Sequence, residues 1–582
     1  MKNLLPILII LFFTNVLLSQ TDFVITNATA EQVIRGNFTP SDFAASVIIN
    51  DHEDIVSGLH DDISPDSLKA YITRMSQFGT RNTGADTLSA ITGMGAARNW
   101  VLAKFQEFSE ANESRLQTGF FQFDQDVCGM GRHKNVIAVL PGVDVTNHSI
   151  IIIEGHLDSR CDQVCDVDCE AQGVEDNASG TALVMELARV MAKYSYNQTI
   201  VFMATTGEEQ GLVGANAFAE WSQQEGINIK AVFNNDVIGG IICGETSSAP
   251  SCPGLNHVDS TQVRFFTFGG FNSLYKSLAR FTKLEYQEEL LPLVDVPMQL
   301  TIMSAEDRTG RGGDHIPFRE RNYTSMRFTS ANEHGNADAT DPDYHDRQHT
   351  SDDILGEDTD GDNIIDSFFV DFNYLARNTA INGVAASMAA IGPITPPSFE
   401  YQEGGDDEIW VSIEDPEDYN HYRIGFRSVG NDFDTVFTLL GAKQGFFIHN
   451  SPGNFFPVSV ASVDENGIES IFSGELLPSP LGVDDPTVEE RMKSVELIQN
   501  RPNPFDESTI ISFYVKDDLD YDESYLVIHD LEGKEIERIN TTIKQGVNEV
   551  LYSHGYNKVG TYVYSLIIDG QIIDSKKMVF AN

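Results

Sequence analysis

Five stretches of this chain each set a residue of metal-ligand type just beyond an apolar run or in an acidic loop. SIIIIEG runs into His156, with Asp158 two residues on. A ligating imidazole needs its other ring nitrogen held by a carboxylate or carbonyl. Asp158 fits that orienting part better than that of a ligand. EDNASGTALV puts Asp176 and Asn177 at the start of an apolar periodic segment. There a carboxylate can bridge two cations, or simply cap a helix. TIVFMATT leads to Glu208 and Glu209, adjacent carboxylates that point different ways, so one can ligate while the other takes a proton from water. A solvated Glu pair is the competing reading, which the buried-type strand in front disfavours. IKAVFNN ends at Asp236, and DYHDRQHTSDDIL carries His345 and His349, either of which can be a last ligand. Nitrogen and carboxylate ligands of this kind suit two zinc ions, with open positions for water and substrate. A nearby carboxylate then serves as general base.

GHLDS, EDNASG, TTGEEQGLVG, NNDVIG and HTSDD resemble, in this order, the motifs of metallopeptidase family twenty-eight, the co-catalytic zinc aminopeptidases of bacterial leucyl aminopeptidase type. The likeness spans residues 64–392. It implies that one zinc takes His156 and Asp236, the other Glu209 and His349, and that Asp176 bridges them. It also implies Glu208 as general base on a bridging water, Asp158 as orienter of His156, a cis Asp176–Asn177 peptide, and His349 rather than His345. Asp314 and His315 in GGDHIPF would be supporting residues. The implied reaction is removal of N-terminal residues from peptides. Carboxypeptidase action and glutaminyl cyclisation also occur on the implied fold, and a non-catalytic peptide-binding protein is the alternative outside enzymes.

Such ligands need a rigid frame. NVIAVLP, SIIIIEG, TIVFMATT, IKAVFNND, VRFFTF and SMRFTS read as buried strands. SPDSLKAYITRMSQF, GMGAARNWVLAKFQEF, TALVMELARVMAKY, NSLYKSLARF and the segment 368–390 read as helices. Strands alternating with helices predict an α/β three-layer sandwich with a mostly parallel central sheet and a site at the strands' carboxyl ends. Residues 21–63 are weakly periodic and read as an N-terminal extension or propeptide. Beyond the Pro-rich hinge GPITPPSF the pattern turns all-β. Residues 398–475 suit a small sandwich of fibronectin type III kind, and 493–582 a second one. In the latter, LIQNRPNPF, YLVIHDLEGKEI, GTYVYSL and SKKMVF resemble a type IX secretion sorting domain, which implies the type IX machinery as partner.

Residues 1–20 read as a signal peptide: one Lys, a short apolar run, then Ser19-Gln20. Both ends together predict a secreted or cell-surface protein with no membrane span in its mature form. The chain has 87 acidic and 38 basic residues, a net charge of −49, which argues against nucleic acid or anionic membranes as partners. Six cysteines in an exported chain predict disulfides, with Cys243–Cys252 the favoured pair. Finally, Asp358, Asp360, Asp362 and Asp366 are spaced like a calcium loop but lack the terminal Glu of an EF-hand, so Ca2+ competes with a plain acidic loop.

Overall fold

The computed structural model describes residues 23–581 apart from 145, 243–257, 271, 308–310, 332–346, 404–407, 428–430, 449–456, 477–494, 506–507, 517–520, 522, 531–534, 554–559 and 569–570. The runs read as strands do pair. Nine strands make one mixed sheet: β1 (Val24–Ile25), β2 (Gln117–Val127), β3 (Met130–Leu140), β4 (Ile150–His156), β5 (Thr199–Thr205), β6 (Ile229–Asn235), β7 (Gln262–Phe266), β8 (Gln299–Ile302) and β9 (Ser325–Ser330). Their order is β1-β2-β3-β5-β4-β6-β9-β7-β8. The centre, β5-β4-β6-β9, is parallel. β1, β2 and β3 flank it antiparallel on one side, and β7 on the other.

β4 shows why the centre reads so plainly. Ile150, Ile151, Ile152 and Ile153 are all fully buried, because both faces of the strand are covered. Ile151 and Ile153 join a core with α2 (His52–Asp62), α3 (Pro65–Ser76), α4 (Gly93–Ala111), α5 (Ser179–Met191), α7 (Leu274–Glu285) and α9 (Phe372–Ile391). Ile150 and Ile152 join the opposite core with α1 (Ala28–Ile34), α6 (Val213–Gln224) and α8 (His315–Arg319). Helix, sheet and helix thus form three layers. α5 is buried almost all round rather than on one face, since α3, α4 and α9 cover the side away from the sheet.

Two parts are less evident in the sequence. β2 pairs with β3 through the Cys128-Gly129 turn, where both residues have positive φ. Residues 23–63 supply β1, α1 and α2, and Ile55, Val56 and Leu59 are buried in the main core. Cys128–Cys165 and Cys161–Cys169 are disulfides, while Cys243 and Cys252 lie outside the described residues.

Small antiparallel sheets follow. Residues 398–463 form two three-stranded sheets around Tyr401, Val411, Ile413, Ile424 and Phe426. Residues 495–580 form a three- and a four-stranded sheet around Ile511, Phe513, Leu526 and Leu566. Among the described residues no helix is long and apolar enough to cross a membrane.

The first of these β units is fastened to the α/β body by a buried ion cluster. Glu475 lies 3.2 Å from Arg280 of α7 and accepts from Arg427 Nη2 at 2.8 Å. Burial opposes its ionisation, but the Arg280 and Arg427 charges outweigh burial and bring its pKa to about 2. That lies below the unfolded value of about 4.3, so the stabilisation is complete above about pH 5 and is lost as pH falls through about 2. Glu475→Gln should cost about 3–5 kcal/mol at neutral pH, the cost of breaking a buried pair. In urea titrations the gap to wild type should narrow at about pH 3, and a pH-independent gap would refute this account.

Candidate metal centre

The sheet order brings the ligands together. β5, β4 and β6 are parallel neighbours, so their carboxyl ends lie side by side. They deliver Glu208 and Glu209, His156, and Asp236 respectively. Asp176 arrives on the loop between β4 and α5, and His349 from beyond β9. Two groups result, His156–Asp176–Asp236 and Asp176–Glu209–His349, each with ligand atoms within 4.8 Å of one another. Asp176 belongs to both. Its Oδ1 is 3.1 Å from His156 Nε2 and its Oδ2 is 3.0 Å from His349 Nε2. Asp236 Oδ1 completes the first group at 3.4 Å from His156 Nε2, and Glu209 Oε2 the second at 3.2 Å from His349 Nε2. His345 lies outside the described residues.

Local structure frees Asp176 for this work. It precedes α5 with non-helical φ and ψ, and its peptide bond to Asn177 is cis. The capping contact belongs to Asn177 instead, whose Oδ1 accepts from Gly180 N at 2.9 Å and Val237 N at 3.2 Å. Asp158 meets His156 through its backbone carbonyl, 3.1 Å from Nδ1, with its carboxylate at 3.6 Å. That carboxylate also accepts from the backbone N–H groups of Glu208 (3.3 Å) and Glu209 (3.1 Å), so it aims the Glu pair as well.

The donor set fits divalent cations. Asp176, Asp236 and Glu209 are crowded and nearly inaccessible to water, a costly arrangement for carboxylates without positive charge beside them. Glu209 Oε1 is buried with no hydrogen-bond partner among the described residues. Imidazole nitrogen and carboxylate oxygen are the ligands zinc accepts. Burial works against ionisation of Asp176, but hydrogen bonds from His156 and His349 outweigh it and hold the carboxyl well below its usual range. Glu208 stands apart from both groups and lines the same cavity, of about 260 Å³. Burial, only partly offset by His156, pushes its carboxyl well above the usual range.

Several supporting residues are not evident from the sequence motifs alone. Arg327 on β9 reaches Asp236 at 3.2 Å and Asp307 at 2.8 Å; a lone Arg inside an apolar strand is the signal that marks it. Gln348 Nε2 donates to Asp176 Oδ2 at 2.7 Å. Arg160 and Arg311 both approach His349. Fully buried Arg81 donates to Leu157 O at 2.7 Å and Gly173 O at 2.8 Å, closing the loop that the two disulfides also tie. Asp314 accepts from the Thr205 hydroxyl, and His315 Nε2 faces Glu306 O at 3.1 Å, so neither stands in a ligand group. In the acidic loop Asp358, Asp360 and Asp366 converge, all exposed or partly exposed, while Asp362 stays outside their cluster.

Asp353 holds the backbone of the segment that carries Asp176. Its carboxylate accepts from Glu175 N at 2.9 Å and Asp176 N at 3.0 Å. Burial, against those two N–H groups, raises its pKa to about 7. The two N–H groups go to different carboxylate oxygens, and an amide replaces one of those by an NH2 group that cannot accept. Asp353→Asn should therefore weaken zinc binding about 10–100-fold, as loss of an orienting partner does elsewhere. Chelator competition measures it, and unchanged affinity would show that the loop holds Asp176 unaided.

The model of Peptidase family M28 matches residues 135–244. A probable zinc metalloprotease of Leptosphaeria maculans is 32% identical over 342 residues, covering 57% of this chain and 75% of its own. One from Pyrenophora tritici-repentis is 33% identical over 297 residues, covering 49% and 66%. Among solved structures, the LapA aminopeptidase of Legionella pneumophila aligns at TM-score 0.41 and 20% identity, over 60% of this chain and 78% of that one. The glutaminyl cyclase of Porphyromonas gingivalis aligns at TM-score 0.38 and 14% identity, over 56% and 96%. Through its match to the Leptosphaeria relative and the family model, the chain belongs to peptidase family M28 and is a zinc metallopeptidase.

Proposed function

We propose that the chain is an aminopeptidase that uses two zinc ions to remove N-terminal residues from peptides. The observation that carries this reading is one buried carboxylate, Asp176, shared by two ligand groups, with Glu208 lining the same cavity and belonging to neither. His156, Asp176 and Asp236 would hold one cation, and Asp176, Glu209 and His349 the other. Bound there, the cations supply Lewis-acid polarisation of a scissile carbonyl and acidify the attacking water.

The residues of the chain do the rest. The Glu208 carboxylate takes a proton from the attacking water as its oxygen bonds to the carbonyl carbon. The same carboxyl returns that proton to the departing nitrogen as the C–N bond breaks. A carboxyl pushed upward by burial is a stronger base than it would be in water, which suits it to take the proton and hold it until the nitrogen departs. Asp158 fixes the backbone on which Glu208 stands, and Arg327 keeps Asp236 turned toward His156.

The extracellular side of this proposal rests on the two ends of the sequence. The signal-like residues 1–20 lie outside the described residues, and 495–580 form a β-sandwich consistent with a type IX sorting domain. We infer a secreted or surface enzyme acting on peptide N-termini.

Glu208→Gln should lower kcat about 10²–10⁴-fold while zinc content stays near that of wild type. The base must be ionised, so kcat/KM should fall as pH drops through the Glu208 pKa, and the variant should lack that limb. A variant with near-normal turnover would remove Glu208 from the mechanism. Cleavage of N-blocked peptides alone would overturn the aminopeptidase reading.

A further inference from the structure

Two guanidinium groups face the ligand cluster from the His349 side. Arg160 Nε donates to Glu209 Oε2 at 2.7 Å, and its Nη2 lies 2.7 Å from His349 Nδ1. Arg311 Nη2 donates to Gln348 Oε1 at 2.8 Å, and its Nη1 lies 3.3 Å from His349 Nδ1. Arg311 Nε is buried and has no hydrogen-bond partner among the described residues. Both arginines line the cavity that holds Glu208.

Neither charge is met by a carboxylate that is free of the ligand groups among the described residues. Among the described residues Arg311 hydrogen-bonds no carboxylate. The one carboxylate that Arg160 bonds, Glu209, belongs to the second ligand group. A cation in that group draws on the same charge, which leaves Arg160 with neutral partners: His349 Nδ1 at 2.7 Å and the backbone carbonyls of Cys161 at 3.3 Å and Asp162 at 3.0 Å. With a cation in the second group, neither Arg160 nor Arg311 has a carboxylate to itself among the described residues, in a confined space where an unpaired charge is expensive. Guanidinium groups meet carboxylates with paired, directional hydrogen bonds. Arg160 is also preorganised: it adjoins the segment tied by Cys161–Cys169 and Cys128–Cys165.

We propose that Arg160 and Arg311 bind a carboxylate of the substrate, and that the enzyme selects peptides carrying one within one residue of the scissile bond. This rests on the peptidase reading of the same cavity. The carboxylate has three sources: the free C-terminus of a dipeptide, an acidic second residue, or an acidic N-terminal side chain.

The full zinc-loaded chain is assayed on leucyl-glycine, leucyl-aspartamide with a free side-chain carboxylate, and glutamyl-glycinamide, each against leucyl-glycinamide. At least one acidic substrate should exceed the uncharged one about 10-fold in kcat/KM, carried mainly by KM, and the source is whichever arm shows it. The preference should shrink as ionic strength rises. In Arg160→Gln and in Arg311→Gln the acid-to-amide ratio should fall toward one, with Arg311→Lys retaining part of it. Calorimetry with a reduced-bond analogue of leucyl-glycine, as acid and as amide, should show the same ratio without turnover. Wild-type cleavage of leucyl-glycinamide with no preference in any arm overturns the carboxylate site and leaves the peptidase reading standing. A ratio unmoved in both Gln variants overturns the assignment to these arginines. No cleavage in any arm by protein carrying about two zinc ions overturns both readings.

Discussion

Three nearly buried carboxylates packed around one cavity repel one another, and the centre of this molecule is organised around that repulsion. Asp176, Asp236 and Glu209 sit between two imidazoles, and their charge must be met locally because the surrounding protein cannot solvate it. Arg327 and Arg160 supply part of the answer from the protein side. The two candidate ligand groups would supply the rest by presenting nitrogen and oxygen donors to cations. The parallel sheet makes the crowd tolerable. β4, β5 and β6 are rigid, buried on both faces, and end at the same edge, so the ligands cannot drift apart to relieve the strain of like charge.

Rigid strands place only some of the ligands. Asp176 and His349 stand on loops, and each needs its own fastening. Asp353 holds the backbone of Glu175 and Asp176 across a separation of 177 residues, which joins the segment after His349 to the segment before α5. Arg81 and two disulfides close the loop between His156 and Asp176. A residue bridging two groups suffers most from small displacements, because a shift that suits one cation spoils the other. The number of independent contacts on the Asp176 segment, from Asp353, Gln348 and both imidazoles, answers that requirement.

Much of this was legible in the sequence, for a physical reason. Runs such as SIIIIEG survive only where both faces are dry, so the residue that ends them must lie at the edge of a core. His156, Glu209 and Asp236 were marked in this way. β2 was hidden because QTGFFQFDQDV buries one face only, and its polar residues resemble a loop. The segment 23–63 was hidden because α2 contributes a single buried ridge of Ile55, Val56 and Leu59. Asp158 was legible as a partner of His156. That its carboxylate also receives the Glu208 and Glu209 amides depends on the β4–β5 pairing, which no local pattern announces. The arginines at the mouth were illegible for the same reason. Arg160 and Arg311 lie 151 residues apart, and only the folded loops bring them to one ring.

Taken alone, the net charge of −49 argues for cationic substrates, but range decides otherwise. Exposed carboxylates act through salt water, where their influence decays over about 8 Å at physiological ionic strength. Arg160, Arg311 and any bound cations act at contact distance inside a cavity of about 260 Å³, with low-dielectric walls on several sides. The surface therefore governs solubility and the rate of encounter, and the cavity governs what is held once it arrives. An acidic exterior slows the approach of an acidic peptide without weakening its contacts at the site. Discrimination among peptides accordingly lies with two loop arginines beside His349 rather than with the composition of the whole chain.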